Sequence, residues 1–216
     1  MIKSDNQNDG RDDTEACILD AAREVFQRRG TAGARMAEIA EQADVNQALL
    51  HYYFGSKAKL AEAVFQRAAR DLLPAVLEVL MSDAGLPEKV RRVVEIELDT
   101  LLRHPFLPGY VLSELNHHPE RVDQFLEAVA GVRIAEVAPR LFERLDAQLT
   151  AAAAAGEIRP IAPEQFVINL LSLCIFPFAA RPMLAAVTRM DDDDFRAMIE
   201  RRKTELPEFF LRGLRP

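Results

Sequence analysis

Apolar residues recur at every third or fourth position along almost the whole chain, and that period commits it to helices. The first helix is expected from Asp13 or Thr14, either of which can cap it, through Ile18, Ala22, Val25 and Phe26 to Gly30. Met36, Ile39, Ala40 and Ala43 mark a short second helix. Asp44 to Asn46 form a turn, and Asn46 can cap a third helix of about eight residues. Ser56 caps a fourth, which runs from Lys57 through Leu60, Val64 and Ala68 and continues past Pro74 with a bend. Further helices are expected over 88–103, 107–117, 121–155, 163–187 and 193–213, punctuated by Gly85-Leu86-Pro87, His104-Pro105, Pro119, Gly156 and Arg159-Pro160. Pro139 and Pro177 fall inside helices and predict kinks or breaks. No stretch alternates as a strand does, so the fold class is all-α.

Residues 1–12 are polar and read as a disordered tail. They hold no apolar signal-peptide core, and no apolar run reaches the length of about 18 residues that crosses a bilayer. The expectation is a cytoplasmic protein with no membrane partner. Cys17 and Cys174 lie far apart in apolar contexts and are expected as buried, reduced thiols. His104, His117 and His118 lack ligand spacing, and Asp191 to Asp194 read as a helix start favoured by the macrodipole. Neither a metal nor a cofactor is expected. The run Ala151–Gly156 reads as a helix end.

A net charge of −7 argues against a chain that coats nucleic acid all over. The window from Arg23 to Arg70 runs the other way, with eight basic residues against five acidic ones. Within it, residues 46–54 turn Leu50 and Phe54 toward the helix at 36–43, with Val45 anchoring the turn. Ala48 and Tyr52 then point outward, flanked by Gln47, Leu49 and His51. So short a helix must be held by its neighbours. Two short helices joined by a tight turn, the second with a polar and aromatic outer face, describe a helix-turn-helix. Such a second helix fits the DNA major groove. There Gln47 can read adenine, Leu49 can touch a thymine methyl, and Tyr52 and His51 can bond phosphates. Lys57, at the start of the fourth helix, favours a phosphate as well.

These residues resemble the TetR-type (tetracycline-repressor-like) transcriptional regulators over about residues 18–65. The features that carry the resemblance are Ile18, Leu19, Ala21, Ala22, Phe26, Gly30, Ile39, Ala40, Phe54, Lys57 and Leu60. The resemblance implies a DNA-binding headpiece on three helices (13–56), a connecting helix (57–74) and a larger ligand-sensing and dimerisation body (75–216). By position it places Gln47, Ala48, Leu49, His51, Tyr52, Tyr53 and Lys57 at or near double-stranded DNA, with Arg35 and Asn46 beside them. The chain departs from the family at Asp44, where the turn usually has Gly, and at His51, where Tyr is usual. It also has Leu49 where a polar residue is frequent. The second helix lacks a Thr or Ser cap, with Ala34 and Arg35 before Met36.

The body carries no nucleophile elbow, phosphate loop, zinc-protease motif or dinucleotide fingerprint, which disfavours an enzyme. Residues 166–184 are apolar nearly all round. Together with 195–214 they predict a four-helix interface in a homodimer. A cavity among Phe106, Tyr110, Phe125, Phe176 and Phe178 would suit a mostly apolar small molecule. The leading expectation is a ligand-responsive repressor of a near-palindromic operator. Two others stay open. One is an activator or nucleoid-type DNA binder without ligand control; the other is a helical small-molecule carrier or enzyme with no DNA role.

Overall fold

A computed structural model describes residues 6–117 and 122–216. Among the described residues every regular element is a helix: α1 Asn6–Gly33, α2 Met36–Gln42, α3 Gln47–Phe54, α4 Lys57–Met81, α5 Leu86–Arg103, α6 Leu107–His117, α7 Val122–Ala130, α8 Ile134–Ala154, α9 Pro163–Ala179, α10 Arg181–Thr188 and α11 Asp192–Gly213. The chain forms two compact units, Met1–Ala68 and Ala69–Pro216, and the division falls inside α4.

In the first unit, α1, α2, α3 and the start of α4 enclose one small core. Ile18, Val25 and Phe26 of α1 meet Ile39 and Ala40 of α2, Leu50 and Phe54 of α3, and Leu60 and Phe65 of α4, all buried. These are the positions that the helical period marks. In the second unit, α5 is the central element and packs on α9 and α11. Phe166 stacks edge-on to Phe210 at 5.3 Å and Phe178 to Phe195 at 5.4 Å, tying α9 to α11 near both ends. Arg181 sits 4.7 Å above the Phe195 ring.

Two charged side chains lie in the α5 core stripe. Lys89 is fully buried and donates to Leu80 O at 2.6 Å and to Gln148 Oε1 at 2.7 Å. Burial, helped by Arg144, lowers its pKa from 10.5. Glu97 is also buried, its Oε2 has no partner, and burial raises its pKa from 4.5 to about 7. Both occupy core-phase positions among Val90, Val93, Val94, Leu98 and Leu101, so the period predicts their burial even though their chemistry opposes it.

Several boundaries differ from the expected ones. α1 reaches back to Asn6, so the disordered tail read at 1–12 is helical from Asn6; residues 1–5 lie outside the described residues. Extending a helix already nucleated by the core costs little. Gly30 (φ 66, ψ 165) leaves helical backbone and ends the first straight segment of α1 as expected, and a short helical stretch follows it to Gly33. The helix read at 121–155 breaks after Ala130, where Gly131 takes φ 67. The helix read at 163–187 divides at Ala180, three residues after Pro177, with a bend of 67°. Cys174 is buried as expected, whereas Cys17 is exposed, its Sγ 3.7 Å from Ala43 O. His118 and Pro119 lie outside the described residues. Asp191 and Asp194 form a capping box at the start of α11.

Candidate nucleic-acid interface

α2 ends in a Schellman motif. The Val45 amide donates to Ala40 O at 3.0 Å and the Asp44 amide to Glu41 O at 3.2 Å. This places Asp44 at the left-handed position, φ 53, where a glycine is usual. The end of α8 has the same two bonds, Glu157 to Ala152 and Gly156 to Ala153, and there the left-handed residue is Gly156, φ 72. Asn46 follows in extended backbone, and its Oδ1 accepts from the Leu49 amide at 2.8 Å. α3 therefore starts at a fixed point and in a fixed direction. Gly55 (φ 71) ends it, and Ser56 Oγ accepts from the Lys59 amide at 3.3 Å to start α4.

Held this way, α3 turns Leu50 (0% exposed) and Phe54 inward and leaves Gln47, Ala48, His51 and Tyr52 outward, with Tyr52 68% exposed. Leu49 and Tyr53 are half-buried at the flanks, and the Tyr52 and Tyr53 rings meet edge to face at 5.6 Å. Arg35, in extended backbone before α2, is exposed and makes no side-chain cap.

Lys57 is not simply presented to solvent. Its ammonium donates to Ala32 O at 3.0 Å and to Ala34 O at 3.1 Å, tying the start of α4 to the segment after the α1 kink. Most other cations of this unit are engaged with its own carboxylates. Arg23 pairs with Asp20 and Glu24, Arg28 with Glu24 and Glu38, Arg29 with Glu38, and Arg67 with Asp20. Gln42 joins this network between Arg28 (2.9 Å) and Glu24 (2.6 Å). Among the described side chains of residues 13–68, those of Arg35 and Lys59 are the cations with no ion pair or hydrogen bond. Lys59 was not among the residues selected from the sequence, although its position in the first turn of α4 was a usable signal.

The structure does not assemble the five aromatic residues proposed for a body cavity into one wall. Phe178 is buried against Phe195, whereas Phe176, two residues earlier on α9, is 55% exposed on the other side of the helix. Phe106, Tyr110 and Phe125 are half-buried.

Two family profiles match the chain. One is described as bacterial regulatory proteins, tetR family, over residues 18–64; the other as tetracyclin repressor-like, C-terminal domain, over residues 87–205. The chain belongs to the tetR family. Its first match spans α2, α3 and the turn between them, so this tetR-family chain is a DNA-binding transcriptional regulator. It is 28% identical to the HTH-type transcriptional repressor NicS of Pseudomonas putida over 207 residues, covering 94% of this chain and 93% of that one. It is 37% identical to the HTH-type transcriptional activator FasR of Mycolicibacterium smegmatis over 89 residues, 41% of each chain. The crystal structure of the TetR family regulator PfmR from Thermus thermophilus has the same fold, with a TM-score of 0.64 at 21% identity, covering 92% of this chain and 99% of that one. No single helix among the described residues of this tetR-family chain is long and apolar enough to cross a membrane.

Proposed function

We propose that the protein is a cytoplasmic, ligand-responsive repressor that binds a near-palindromic operator as a homodimer and catalyses no reaction. The observation that carries this reading is the outer face of α3, where Gln47, Ala48, His51 and Tyr52 are exposed while Leu50 and Phe54 hold the helix from behind. Gln47 and Ala48, in the first turn, are the base-facing positions, with Leu49 beside them for a thymine methyl. Tyr52, Tyr53, Arg35, Lys57 and Lys59 meet phosphates, and Asn46 sets the approach of the helix. The unit through residue 56 acts as the headpiece, 57–74 as the connection and 75–216 as the sensing body.

Ile168 and Phe176 of α9 and Phe209 of α11 are large, apolar and more than half exposed, which supports a second copy packing on α9 and α11 about a two-fold axis. Two such headpieces fit half-sites about 34–36 Å apart. In this reading the exposed Phe176 belongs to the dimer face. Phe106, Tyr110, Phe125 and Phe178 remain candidates for the lining of a site for a small, largely apolar effector, which releases the operator only if it prefers the non-binding conformation.

The test is selection of genomic DNA fragments by the purified protein, followed by a gel-shift titration with the recovered duplex. A defined site with two related half-sites is expected, with affinity that falls as salt rises. Recovery of no sequence in preference to bulk DNA would overturn the reading. The likeness to FasR favours activation as a second reading, and a reporter driven from the recovered site distinguishes the two by the sign of its response.

A further inference from the structure

His51 stands where its family usually has a tyrosine, and the structure fixes the chemistry of its ring. Nδ1 lies 3.0 Å from Gly55 O. A carbonyl oxygen can only accept, so Nδ1 carries the proton. In the neutral ring, Nε2 is therefore a bare lone pair, and it has no protein partner on an exposed side chain. A phosphate oxygen also only accepts, so while Nδ1–H stays on Gly55 O the neutral ring cannot hydrogen-bond the DNA backbone.

Its surroundings are nevertheless those of a backbone contact. The N-terminal residues of a recognition helix meet base edges, and His51 lies one turn beyond Gln47, in the second half of α3. The chain then passes Gly55 and enters the N-terminus of α4, where backbone amides and the exposed Lys59 make an electropositive end suited to phosphate. The charged groups of α2, of the turn and of the first turn of α4 are Glu38 and Glu41, Asp44, and Lys57 and Lys59. None of them pairs with the ring, and the Lys57 ammonium is turned toward Ala32 O and Ala34 O. None of these three carboxylates therefore competes with phosphate for an imidazolium there.

We propose that His51 makes its DNA contact as an imidazolium, so that operator binding takes up one proton from solvent in each headpiece. Nδ1–H stays on Gly55 O and holds the ring in place, and Nε2–H, formed on protonation, donates to a phosphate oxygen. Operator affinity then rises as pH falls. This inference rests on the DNA-binding reading above.

The test is a fluorescence-anisotropy titration of the full-length protein with the genomic duplex it selects, from about pH 8 to about pH 6, the range in which imidazoles change charge. The wild type is compared with His51→Gln and His51→Tyr, and circular dichroism confirms that all three are folded. Linkage predicts a gain of up to about tenfold per pH unit for each half-site wherever the free ring is neutral. His51→Gln should remove that gain. His51→Tyr, whose hydroxyl donates at every pH, should bind at pH 8 at least as tightly as wild type and show no slope. Both variants retain Glu97, so any slope that arises in the body is common to all three proteins. A wild type with no slope, or a His51→Gln protein with an undiminished one, would overturn the proposal. So would affinity that falls on acidification, because that marks Nε2 as the acceptor of a base amine. If the protein selects no duplex at either pH, the DNA-binding reading itself fails, which is a different result from a flat or inverted profile.

Discussion

Asn46 Oδ1 accepts the Leu49 amide at 2.8 Å, and this one bond sets where α3 begins. Asn46→Ala should lower stability by about 1 kcal/mol, and Asn46→Asp, which caps equally well, should restore it. Urea midpoints at constant slope measure both. Equal midpoints for wild type and Asn46→Ala would show that the cap contributes nothing.

Asp44 occupies the left-handed position of its Schellman motif, where a side chain costs roughly 1–2 kcal/mol and glycine almost nothing. Glycine also loses more chain entropy on folding, so Asp44→Gly should stabilise the protein by about 0.5–1 kcal/mol net. A lower urea midpoint for this variant would mean that the Asp44 side chain has a compensating role.

Tyr52 and Lys57 should separate in their effects. Tyr52→Ala removes a ring that is 68% exposed, so operator affinity should fall while the melting temperature stays within about 2 °C. Lys57→Ala removes two hydrogen bonds to carbonyls and should cost about 1–2 kcal/mol of stability in addition to affinity. A Lys57→Ala protein as stable as wild type would show that those bonds are weak in solution.

Burial raises the pKa of Glu97 to about 7 from 4.5, so the folded state holds its proton at pH values where the unfolded chain has lost it. Its contribution to stability is complete below about pH 4.5 and is lost as pH rises toward 7, a change of roughly 3 kcal/mol. Glu97→Gln keeps the shape without the charge and should flatten the decline between pH 5 and 8. The comparison is of urea midpoints across that range. A parallel decline in the variant would assign the pH dependence to another group.

The parts of this fold that were legible in the sequence are those set by local rules. The helical period marked Ile18, Phe26, Ile39 and Leu50 as core, and Asn46 announced its own cap. Asp44 was visible as a departure at a position that favours glycine. Contacts between residues distant in the chain were not legible. Nothing in the sequence says that the Lys57 ammonium folds back to Ala32 and Ala34, because a lysine at a helix start serves a phosphate equally well. The break at Gly131 escaped for a related reason, whereas Pro177 announced the one at Ala180. A single glycine inside a helix costs only about 1 kcal/mol, and a proline bends a helix as readily as it ends one, so the surrounding packing decides. The ring of His51 was legible as a groove residue, but its tautomer depends on the Gly55 carbonyl that the fold brings to it.

The self-paired arginines of the headpiece bear on how the protein finds its site. Attraction to arbitrary DNA comes almost wholly from unneutralised cations. Arg23, Arg28, Arg29 and Arg67 are already held by Asp20, Glu24 and Glu38, and the whole chain carries −7. The expected consequence is weak attachment to unrelated sequence, with the search made in short visits rather than long slides.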